Sequence, residues 1–235
     1  MFRALLAEWL GSFLVIFVGL GAAVITAPLP EIGIGYGGIA LAFGLAQMSA
    51  MLALGPVSGG HFNPLLSLAA VIGGHLPGNR LAPYWAAQAL GAMAGAATLH
   101  LIASGTPGFV AGGFAANGYG ISSPGGYGLI AALVAEAVAG AFLALIFLSA
   151  GWRDGRIAAP LAVGGALIAI HLVLLPITGA SVNPARALAA ALFAQTEALG
   201  QVWAFSLAPL AGGALGAAIW RLLLMPEESP AGRRE

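Results

Sequence analysis

Two Asn-Pro steps carry most of the chemistry this sequence could do. Ser58-Gly-Gly-His-Phe-Asn-Pro-Leu-Leu-Ser-Leu-Ala-Ala70 lines up with Thr178-Gly-Ala-Ser-Val-Asn-Pro-Ala-Arg-Ala-Leu-Ala-Ala190, so that Asn63-Pro64 and Asn183-Pro184 recur 120 residues apart. Asn is a favoured helix N-cap and Pro is favoured at the first helical position, which makes each step a helix start. About ten mostly apolar residues follow each, Pro64 to Gly73 and Pro184 to Ala194. Ten helical residues cover about 15 Å, half of a roughly 30 Å hydrocarbon core. Two such half-helices, entering from opposite faces, would meet near the membrane centre. Non-helical backbone at that depth is tolerated only inside protein or against a water-filled cavity, so the pair argues for a pore. One Asn-Pro alone would mean no more than a capped helix.

The ionisable residues near these steps narrow the reading. Arg186 lies in the first turn after the second step, and a charge at membrane depth is costly and functional by default. Glu8 and Glu136 stand in the first and fourth apolar stretches at matched places. A proton relay is one use for such acids. The simpler use is to accept hydrogen bonds from the irregular backbone before each half-helix, leaving the carbonyls of Gly59, Gly60, His61, Phe62, Gly179, Ala180 and Ser181 free to line a lumen. Gln88 is either a helix-packing polar residue or without a role. Four His, no Cys and no Ser-His-Asp arrangement offer neither metal-ligand spacing nor a nucleophile. No enzyme activity, cofactor or metal is expected.

The elements that hold these residues are membrane spans. Of 235 residues 60% are hydrophobic and only 7% charged, with mean hydropathy +0.97; soluble domains carry about a quarter charged residues. Net charge is zero, and no basic run suggests nucleic acid as a partner; membrane lipid is the expected surrounding. Six stretches are long enough to span: Leu5 to Ala27, Gly33 to Leu54, Leu81 to Ala103, Tyr127 to Ala150, Ala158 to Leu175 and Val202 to Leu224. With the N-terminus in the cytoplasm, Arg3, Arg80, Arg153, Arg156, Arg221, Arg233 and Arg234 fall on the cytoplasmic side. Both termini are then cytoplasmic, and only Arg186 is an exception. Ala7-Glu8 matches Ala135-Glu136, and Ala87-Gln-Ala-Leu-Gly91 echoes Ala208-Pro-Leu-Ala-Gly212. Three landmarks in the same order predict one channel domain over 1–235 built from repeats at approximately 1–115 and 127–235. Three spans per half make the second copy inverted, with its functional site at the midplane.

Taken together, the paired Asn-Pro boxes, Asn183-Pro184-Ala185-Arg186, Leu41-Ala-Phe-Gly-Leu45 and Asn117-Gly-Tyr-Gly120 with Ser123-Pro-Gly-Gly-Tyr127 resemble the aquaporin family, or major intrinsic proteins, and its bacterial water-channel members in particular. The resemblance implies an all-α membrane fold of six helices plus two re-entrant half-helices, a homotetramer with a pore in each subunit, water as permeant, and a bacterial inner membrane. It also implies a central constriction at Asn63, Pro64, Leu65, Asn183, Pro184 and Ala185, and a selectivity filter of Phe43, His171, Ala180 and Arg186. Three departures from the family pattern stand out: Leu65 where Ala is usual, Ala180 where Thr or Cys is common, and Phe205-Ser206 where water channels often show an aromatic pair. Leu65 is expected to point away from the lumen into a gap left by smaller neighbours. The glycerol branch usually has Asp where Ala187 stands, so water is the favoured permeant. A glycerol-type facilitator is the alternative, and an ion-coupled transporter with inverted repeats the rival from another class.

Overall fold

The computed structural model describes residues 1–26, 29, 33–151 and 157–225. Ala27 and four of the arginines used to orient the chain (Arg153, Arg156, Arg233 and Arg234) lie outside the described residues. The fold is all-helical: α1 Phe2–Gly21, α2 Gly35–Ser58, α3 Pro64–Ile72, α4 Leu81–Ala103, α5 Leu129–Gly151, α6 Ala158–Thr178, α7 Pro184–Phe193 and α8 Ala204–Leu223. Among the described residues, six helices are long and apolar enough to cross a bilayer. α3 and α7 are the short ones, at 9 and 10 residues.

α2 and α6 each run past the expected end, to Ser58 and Thr178 instead of Leu54 and Leu175. Pro56 and Pro176 sit inside the last turn, and each helix closes on a left-handed Gly, Gly59 with φ 98° and Gly179 with φ 74°.

Packing is closest between α5 and α8 and between α1 and α4. A Cβ on Gly91 would fall 2.0 Å from the Trp9 carbonyl oxygen, and one on Gly212 would fall 2.0 Å from that of Ala137. These backbones touch, which in a bilayer replaces the hydrophobic drive as the source of association. α3 packs against α8 and α7 against α4, so each half-helix is enclosed by protein and its ends need no lipid-facing polar groups.

Candidate pore

The two segments entering the half-helices are built alike and built under strain. Gly59, Gly60 and Phe62 have positive φ, and so do Gly179, Ala180 and Val182 at the matching places. A left-handed Phe, Ala or Val costs on the order of 1–3 kcal/mol, so something must hold each segment. In the first, Glu8 Oε1 accepts from Ser58 Oγ at 2.6 Å and the His61 amide at 3.0 Å, and Oε2 accepts from the Phe62 amide at 2.7 Å. In the second, Glu136 Oε1 accepts from Thr178 Oγ1 at 2.7 Å and the Ser181 amide at 2.9 Å, and Oε2 from the Val182 amide at 2.7 Å. Both carboxyls are fully buried, where hydrogen bonds to a carboxylate are at their strongest. Gln88 joins the first anchor, its Nε2 donating to Glu8 Oε2 and to Ser67 Oγ, each at 2.7 Å.

Past these segments come the caps. Asn63 Oδ1 accepts from the Leu65 amide at 2.9 Å, and Asn183 Oδ1 from the amides of Ala185 at 3.0 Å and Arg186 at 3.3 Å. The amide nitrogens cross over: Asn63 Nδ2 donates to the Val182 carbonyl at 2.8 Å and Asn183 Nδ2 to the Phe62 carbonyl at 3.2 Å. The start of each half-helix is thereby tied to the loop of the other. A side-chain amide has two hydrogens, so one on each Asn is left over. Each helix N-terminus also carries about half a positive charge.

Asn63 and Asn183 share a narrow cavity, about 10 Å³ in volume, with Gln47, His171, Ser181 and Arg186. The rest of the lining is apolar: Val15, Ile16, Phe43, Leu66, Leu143, Val163 and Leu167. About 10–15 Å³ of such volume is what a single water needs, so the cavity is about the size of one water molecule.

Phe43 and His171 stack with ring centroids 4.5 Å apart, and the Arg186 guanidinium carbon lies 5.8 Å from the Phe43 centroid, inside cation–π range. Arg186 is held from behind, its Nη2 donating to the Gly179 carbonyl at 2.9 Å and its Nη1 to Asn117 Oδ1. His171 Nδ1 meets the Leu167 carbonyl at 2.9 Å. A carbonyl only accepts, so Nδ1 carries the proton and Nε2 is an acceptor. Arg186 Nε and His171 Nε2 are buried with no protein partner among the described residues. A donor and an acceptor are therefore left over on residues that line one cavity.

Other expected site residues fall elsewhere. Ala180 is fully buried, its amide donating to Thr178 Oγ1 at 3.1 Å, and it does not share the cavity with Phe43, His171 and Arg186. Four carbonyls expected to be free already accept from the protein: Phe62 from Asn183, Gly179 from Arg186, and Gly60 and His61 from Gln47. Long side chains at membrane depth take acceptors that irregular backbone offers, since water is scarce there. Leu65 is fully buried and points between α5 and α8, where a Cβ on Gly213 would meet its Cγ at 2.7 Å and one on Gly140 its Cδ1 at 3.1 Å. Pro64 and Ala185 complete the first turns of their half-helices without lining the cavity. The sequence assigns no role to the apolar lining residues other than Phe43, to Gln47, which lines the cavity, or to Asn117, which holds Arg186 from behind. Gln47 does carry a signal, as a lone amide in an apolar span. Among the described residues no cluster of His, Asp or Glu is arranged to hold a metal.

The pattern that defines the family described as Major intrinsic protein matches residues 1–220. The chain belongs to that family. Among its major intrinsic protein relatives, Aquaporin Z of Brucella melitensis biotype 1 is 50% identical over 225 residues, covering 95% of this chain and 99% of that one. Aquaporin Z of Rhodopseudomonas palustris is 49% identical over 222 residues, covering 93% and 92%. The fold is also that of the X-ray structure of the aquaglyceroporin from Plasmodium falciparum, with TM-score 0.83 at 21% identity over 96% of this chain and 97% of that one. The chain is thus a multi-pass membrane protein of a channel family, and these two Aquaporin Z relatives are bacterial.

Proposed function

We infer that the protein is a passive channel that passes water and excludes ions and protons. The observation that carries this reading is a cavity of about one water's volume that Asn63, Asn183, His171 and Arg186 line together with apolar side chains. Water needs few hydrogen bonds to cross such a passage, and the apolar side chains offer nothing to hold it. We assign the filter to Phe43, His171 and Arg186, with Ala180 supporting it through the backbone. Arg186 supplies a fixed positive charge and Nε a donor, while His171 Nε2 supplies an acceptor. The spare amide hydrogens of Asn63 and Asn183 orient a water whose own hydrogens then face outward, and the two helix N-termini repel cations, as is general for aquaporin-type pores. Glu8 and Glu136 act as anchors of the entering loops, not as proton carriers. The Phe43–His171 stack and the Arg186 guanidinium line a cavity of only about 10 Å³, which favours water over a polyol.

The hydrogen bonds of Glu8 and Glu136, and the crossed Asn amides, support two inverted repeats forming one channel domain. The arginine distribution supports cytoplasmic termini in a bacterial inner membrane, and family membership supports a homotetramer with four pores. Reconstituted vesicles in an osmotic step test the function. They should shrink much faster than protein-free vesicles, with a low activation energy; equal rates with folded protein present would refute it.

A further inference from the structure

Gln47 interrupts the apolar face of α2. It lies one turn beyond Phe43, is 3% exposed, and shares its cavity wall with Val15, Ile16 and Val163. A buried amide in such surroundings is costly unless it is hydrogen-bonded. Its Nε2 finds partners only by leaving its own helix for the re-entrant segment, donating to the Gly60 carbonyl at 3.5 Å and the His61 carbonyl at 3.4 Å.

The location of these bonds gives them a consequence. Gln47 and Asn63 are among the residues that line the narrow cavity. Ser58, Gly59, His61 and His75 help to line a wider cavity of about 240 Å³. No residue lines both. Gln47 lines the first and His61 the second, so the hydrogen bond between them links the linings of the two cavities. Both distances exceed the usual range of about 2.7–3.2 Å for N–H···O bonds, so the bonds are weak and the amide can be displaced by competing donors such as water.

We propose that Gln47 controls the permeation rate: its amide bridges α2 to the Gly60 and His61 carbonyls, closes the join between the two cavities, and yields to water with each opening. The bridge occupies the acceptors that water in the file would otherwise use. It involves no ionisable group. The proposal rests on the water-channel reading.

The test compares osmotic shrinkage of vesicles holding matched amounts of wild type, Gln47→Ala and Gln47→Leu, with protein-free vesicles as baseline. Leu keeps most of the bulk and has no donor. Both variants should pass water faster than wild type, by about threefold or more, which is what removing one weak hydrogen bond from a barrier yields, and with a lower activation energy. Glycerol should stay excluded. A Gln47→Ala rate equal to or below wild type overturns the proposal. So does a fast Gln47→Ala beside a Gln47→Leu as slow as wild type, because bulk and not the amide would then restrain flow. Gln47→Leu, which keeps the bulk, suffices by itself if Gln47→Ala does not reconstitute. If all three match empty vesicles, the water-channel reading falls and the bridge with it.

Discussion

Leu65→Ala tests how this chain accommodates the residue that departs most from its family's first box. The side chain is fully buried, and the nearest neighbours that a Cβ on Gly213 would meet are all Leu65 atoms, Cγ at 2.7 Å, Cδ2 at 3.1 Å and Cδ1 at 3.5 Å. Leu65 therefore fills a cleft that glycines on α5 and α8 leave open. Leu→Ala changes in protein cores cost about 2–5 kcal/mol, as a transfer term plus a cavity term. In a bilayer the unfolded reference already lies among lipid tails, so the water-transfer term shrinks and a loss near the low end, about 2 kcal/mol, is expected. Gly213→Ala alone should cost about 1–3 kcal/mol by overpacking, since Cγ is the branch point of the side chain and cannot swing clear. In the double variant the new methyl enters the space the isobutyl group has left. The two losses should then fall well short of their sum. Thermal unfolding in detergent, followed by helical circular dichroism, reads all four corners of the cycle. Additive losses would refute the packing argument. A several-fold rise in water flow for Leu65→Ala would show instead that Leu65 restricts the lumen.

Two further perturbations test the filter and the loop anchors. Replacing Arg186 and His171 together with small apolar residues removes the fixed charge and the ring facing Phe43. Water flow should persist while glycerol uptake or proton leak rises, and an unchanged solute profile would place the filter elsewhere. Glu136→Gln keeps the shape but presents an NH₂ group to backbone amides at 2.7–2.9 Å. At least one buried N–H then goes unpaired, at about 1–3 kcal/mol, and the thermal midpoint should fall; an unaltered midpoint would mean that the carboxylate does not hold the loop.

The relation between sequence and structure differs between the elements and the site. The six spans, the two half-helices and their Asn caps are legible because they depend on local properties, namely apolar run length and the preferences of Asn and Pro at helix starts. The ends of α2 and α6 are less so. Each helix continues past the apolar run through a proline, Pro56 or Pro176, and closes on a left-handed Gly.

The site is legible where a residue's own chemistry marks it, as with Arg186, whose charge has no other reason to lie at membrane depth. Leu65 is intermediate. That it should turn toward small neighbours follows from its bulk, but Gly140 and Gly213 lie on helices 75 and 148 residues further along the chain, and only packing selects them. Gln47, Gln88 and Asn117 have partners 13 to 80 positions away. A neutral amide has many places to donate, so no local pattern says which carbonyl, carboxylate or guanidinium it will meet. The sequence by itself determined a two-box membrane channel, because membrane depth permits so few backbone solutions. Tertiary structure alone decided which carbonyls stay free for water, because competition for buried acceptors is settled by reach in space.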